Sequence, residues 1–70
     1  MIRILVVDDH ELVRTGLTRM LSDDREIEIA GEADSGEAAV DRVRRDPPDL
    51  VLMDLRMPGI GGLEAIRRIL

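Results

Sequence analysis

Seventy residues without a cysteine make one domain at most and exclude disulfides and thiolate metal sites as sources of stability. Fifteen acidic residues against ten basic ones leave a net charge of -5, which opposes direct binding to a phosphate backbone, and the lack of Phe, Tyr and Trp excludes base stacking. The longest apolar runs, Ile4 to Val7 and Leu50 to Met53, fall far below the roughly 20 residues that span a bilayer, so no membrane contact and a cytoplasmic setting are expected.

The β-branched, almost wholly apolar segment Ile2 to Val7 predicts a strand buried on both faces of a parallel sheet, ending at Asp8-Asp9. Val13, Leu17, Met20 and Leu21 fall at i, i+4, i+7 and i+8, which predicts a helix from about Glu11 to Ser22 with those four on its inner face. Gly16 costs that helix about 1 kcal/mol relative to Ala, and Arg14 and Arg19 read as exposed helix charges. Asp23-Asp24-Arg25 reads as a loop, and the segment from Ile27 to Ala33 as a second strand nearer a sheet edge. Ser35 offers an N-cap and Glu37 a first-turn acid for a second helix that turns Ala39, Val40 and Val43 inward. That helix is expected to run to about Arg45 and stop at Asp46-Pro47-Pro48, because proline cannot continue a helix and restricts the residue before it. Leu50 to Met53 is a third apolar strand ending at Asp54. A loop from Leu55 to Gly61 follows, and a last helix begins near Gly62 with Leu63, Ile66, Ile69 and Leu70.

The order βαβαβα implies parallel pairing through right-handed crossovers, an α/β doubly wound sheet. Ligands of such sheets bind beyond the carboxyl ends of the strands, where Asp8, Asp9 and Asp54 stand. If the first and third strands are neighbours, the three carboxylates repel one another, and a divalent cation relieves the repulsion. Oxygen ligands suit Mg2+, beside which a carboxylate can attack a phosphoryl group. Each acid also has a plainer reading, since an Asp after a strand is often a helix N-cap or turn former. His10 is a surface or cap residue in the plainer reading and a proton shuttle in the sharper one. Met57, beside Pro58, reads as a packing residue.

The segments Val6-Val7-Asp8-Asp9-His10, Gly31-Glu32-Ala33, Ser35-Gly36-Glu37-Ala38-Ala39 and Leu52-Met53-Asp54-Leu55-Arg56-Met57-Pro58-Gly59 resemble bacterial response-regulator receivers of two-component signalling. Within them the chain looks like the NarL/FixJ type. Leu12-Val13-Arg14-Thr15-Gly16-Leu17-Thr18 and Gly59-Ile60-Gly61-Gly62-Leu63-Glu64-Ala65 are similar to the GacA/UvrY group. The resemblance implies a flavodoxin-like (CheY-like) fold, truncated here to its first three βα repeats over residues 1–70, with strand order 2-1-3 and no output domain present. It also implies that Asp54 accepts phosphate from a sensor histidine kinase and is not a turnover enzyme's nucleophile. Asp9 and Asp54 would bind Mg2+ directly with the backbone carbonyl of Arg56, and Asp8 through water. DNA would be reached only through a missing output domain that controls transcription.

Receivers place a Ser or Thr after a fourth strand and a Lys after a fifth, and these 70 residues contain neither element and no lysine. The alternative reading is therefore a self-associating, metal-binding receiver fragment without efficient phosphotransfer. An unpaired third strand or uncovered helix faces would then join copies into a homodimer or larger assembly. A phosphatase with an Asp nucleophile fits poorly, since such hydrolases want an acid two residues on, where Arg56 stands.

Overall fold

The computed structural model describes residues 1–53 and Arg67. Its elements are β1 (Ile2–Val7), α1 (Glu11–Ser22), β2 (Ile27–Ala33), α2 (Gly36–Arg45) and β3 (Leu50–Met53). The expected loop from Leu55 and the start of the last helix near Gly62 lie outside the described residues. Arg67, within the expected helix, is helical.

The described strands pair in the order β2-β1-β3, both pairs parallel. β1 is central, which is why its apolar run needs no alternation: Ile4, Leu5, Val6 and Val7 are all buried. The step from β1 to β2 goes one way along the sheet, and the step from β2 to β3 returns across β1. Right-handed crossovers then put α1 and α2 on opposite faces. On one face Leu5, Val7, Ala33 and Ala39 form a buried cluster, with Val43, Val51 and Met53 packed against it. Ile4 and Val6 alternate with these and point to the face that α1 covers.

Ser35 caps α2 as expected, its Oγ accepting the amide of Ala38 at 3.1 Å. Asp46 follows the last turn outside the helical region, which Pro47 bars to the residue before it.

The inner face of α1 differs from the expectation. Val13 is 49% and Met20 73% exposed, and the half-buried positions are Arg14, Leu17, Thr18 and Leu21. These still fall at i, i+3, i+4 and i+7, so the helical spacing holds while the face is rotated toward Arg14 and Thr18. Arg14 turns inward because polar partners await it there. Gly16 has open space around it, and nothing nearby requires a glycine.

A register shift lies between Ile4 and Leu5, which pair with Ile29 and Gly31 and leave Ala30 as an extra residue. The Ala30 carbonyl accepts Nη2 of Arg42 at 3.0 Å. The same guanidinium lies so close over Gly31 that a Cβ there would collide with it.

Candidate functional site

The ladder between β1 and β2 runs one residue beyond β1, where the Asp8 amide donates to the Ala33 carbonyl at 3.1 Å. This holds Asp8 at the carboxyl edge of the sheet, 8% exposed. A buried carboxylate needs donors, and Oδ1 of Asp8 accepts the His10 amide at 2.8 Å. That bond closes a local turn of the kind Asp favours. The Asp9 side chain is more exposed, and Nδ1 of His10 lies 3.0 Å from Asp9 Oδ1 and 3.3 Å from Asp8 Oδ1. One potential ligand atom from each of Asp8, Asp9 and His10 falls within a 4.8 Å group.

Of the plainer reading of the acids, helix N-cap or turn former, the turn holds for Asp8 and the N-cap falls to His10. His10 occupies the N-cap of α1, with no side-chain cap bond, and the Asp8 carboxylate meets the His10 amide and ring instead of capping the helix. For His10 the plainer reading of a cap position holds, although its ring is turned toward both carboxylates.

Arg14 corrects a second expectation. Its side chain is only 18% exposed; Nε donates to Glu32 Oε1 at 3.0 Å and Nη1 to the Asp8 carbonyl at 2.7 Å. Sequence reasoning missed it because Glu32 lies 18 residues away, on β2. Beside the acids, Val7, Asp8, Leu17, Leu52 and Met53 line a cavity of about 290 Å³.

Two oxygens that share one Mg2+ lie about 3 to 4 Å apart, and the Asp8 and Asp9 ligand atoms lie within 4.8 Å of each other, near enough for both to face one ion directly or through water. The donor set is two hard carboxylates beside an imidazole, and the carboxylates suit Mg2+ while the ring does not. Asp54 and the backbone carbonyl of Arg56 lie outside the described residues. The strand leading to them is described: Val7 pairs with Met53 in parallel register, and these residues directly precede Asp8 and Asp54 in the sequence.

A parallel β2-β1-β3 sheet with adjacent acids after its central strand is the arrangement anticipated for a receiver, and residues 4–70 match the family described as response regulator receiver domain. The chain belongs to the response regulator receiver domain family. This receiver is 61% identical over 70 residues to response regulator GacA of Pseudomonas viridiflava, covering 100% of this chain and 33% of that protein. It is 58% identical over 69 residues to response regulator UvrY of Escherichia coli (strain K12), covering 99% of this chain and 32% of that protein. The chain thus spans about a third of the length of these relatives. Among solved structures it is similar to the signal receiver domain of NarL from Mycobacterium tuberculosis, with a TM-score of 0.87 and 42% identity over 91% of this chain and 52% of that one. The CheY-like fold and the GacA/UvrY resemblance both stand. No helix among the described residues is long and apolar enough to cross a membrane.

Proposed function

We propose that this receiver accepts a phosphoryl group on Asp54 from the phosphohistidine of a sensor histidine kinase, and so controls transcription through a DNA-binding output domain. Asp8 and Asp9 hold Mg2+ in this reading, Asp9 directly with Asp54 and the carbonyl of Arg56, Asp8 through water. It operates in the cytoplasm, as a phosphoacceptor and not a turnover enzyme.

The carrying observation is the parallel register of Val7 with Met53, which brings side by side the chain positions from which Asp8 and Asp54 follow. Burial supports separate roles for the two adjacent acids. Asp8 is fixed by the His10 amide and the β2 edge, whereas Asp9 is more exposed and can meet a cation. A bound Mg2+ offsets negative charge on the phosphoryl oxygens. The chain's own contribution is to hold the carboxylates in place and to offer an Asp54 oxygen as nucleophile.

Mass spectrometry after incubation with Mg2+ and acetyl phosphate tests this reading. The expected result is a gain of one phosphoryl group that disappears in Asp54→Ala, and no gain in the wild-type chain would reject it.

A second reading is self-association without efficient phosphotransfer. It is favoured by β3, which has β1 as its one paired neighbour among the described residues and leaves Leu50 partly exposed. Sedimentation decides it, with a homodimer or larger assembly expected and a cooperatively folding monomer excluding it.

A further inference from the structure

Arg14 places a positive charge beside a pair of carboxylates proposed to hold a cation. By electrostatics alone this opposes metal binding, since like charges repel across a partly desolvated site. Its geometry points elsewhere. Arg14 uses two separate nitrogens in two directions, Nε on Glu32 at 3.0 Å and Nη1 on the Asp8 carbonyl at 2.7 Å. The Asp8 amide is already held by Ala33 and the Asp8 carboxylate by the His10 amide. Arg14 supplies the remaining restraint, on the carbonyl of the peptide that joins Asp8 to Asp9.

We propose that Arg14, oriented by Glu32, is the positioning residue of the acidic site, fixing the Asp8–Asp9 peptide so that both carboxylates face one divalent cation. The inference rests on the metal reading of Asp8 and Asp9. With the carbonyl released, the Asp8–Asp9 peptide plane can rotate and carry the Asp9 carboxylate with it. The Asp8 carbonyl oxygen, a hard ligand itself, then also becomes free to compete for the ion. Glu32 offsets the charge of Arg14 and aims its planar fork, a geometry that lysine does not reproduce. Partners that orient ligands in this way typically set metal affinity by about 10- to 100-fold.

The sign of the effect separates positioning from charge. Removing a nearby cation strengthens metal binding if only charge matters, and weakens it if Arg14 positions the acids. Mg2+ titration calorimetry on the full chain should show Kd rising roughly tenfold in Arg14→Gln. The Mg2+-induced rise in Tm should shrink by more than the metal-free Tm falls, and the metal-free amide signals of Asp9 and His10 should shift. Arg14→Lys keeps the charge and should still bind more weakly than wild type, which decides the matter if Arg14→Gln fails to fold. Affinity equal to or above wild type in the folded Arg14→Gln, or wild-type affinity in Arg14→Lys, would overturn the inference and leave the metal reading intact. A wild-type chain that does not saturate with Mg2+ overturns both.

Discussion

Arg3 and Asp46, 43 residues apart, meet in a two-point ion pair, with Nη1 on Oδ1 at 3.0 Å and Nη2 on Oδ2 at 2.6 Å. The Arg3 amide also donates to Asp49, and the Asp49 amide returns a bond to the Arg3 carbonyl. The group clamps the end of α2 and the entry to β3 onto β1, at the sheet edge opposite the acids.

The hydrogen bond from Arg3 holds the Asp46 carboxyl below its ordinary value. A carboxyl lowered in the folded state contributes stability above the unfolded value and loses it as pH falls through the folded one. Asp46→Asn should therefore lower Tm slightly at pH 7. The gap should close as pH drops from about 4 into the strongly acid range, as a series of thermal melts would record. A gap that persists unchanged at pH 2 would remove the ion pair as its cause.

Leu5→Ala cuts into the cluster with Val7, Ala33 and Ala39, where Leu5 is 2% exposed. The expected cost is about 2–5 kcal/mol, read from the urea midpoint. A loss under about 1 kcal/mol would mean that the site collapses around the missing methyls.

Ser35→Ala removes the oxygen that accepts the Ala38 amide and should cost about 1 kcal/mol in urea unfolding. Ser35→Gly should cost only a few tenths.

Gly31→Ala forces the Arg42 guanidinium off the β2 edge and breaks its bond to the Ala30 carbonyl. Because the displaced group is the end of a flexible side chain, a loss of about 1 kcal/mol is expected. In a double-mutant cycle, Gly31→Ala should cost little in an Arg42→Ala background, since the clash is then gone. Simple additivity would show that the two residues do not meet.

Mg2+ should raise the Tm of the wild-type chain by preferential binding to the folded state, and Asp9→Ala should abolish that rise. Differential scanning calorimetry with and without Mg2+ makes the comparison. An equal rise in both would place the ion elsewhere.

The sequence alone determined the five described elements and the family. The apolar run of Ile2–Val7, the Ser35 cap, the stop at Asp46-Pro47 and the short strand Leu50–Met53 all lie where local pattern placed them. Such signals are carried by residues within one or two turns of each other, and no distant contact is needed to interpret them. The adjacent pair Asp8-Asp9 was legible for the same reason.

Tertiary structure decided which partners the charges found. Arg14 reads locally as a solvated helix residue, yet the β1–β2 pairing presents Glu32 and the Asp8 carbonyl to it and rotates α1 away from Val13 and Met20. Arg3 likewise finds Asp46 and Asp49 only because β3 lies beside β1. A long flexible side chain loses conformational freedom to make an ion pair, so it settles where strand order and register place a buried or fixed acceptor, and that placement is a property of the assembled sheet.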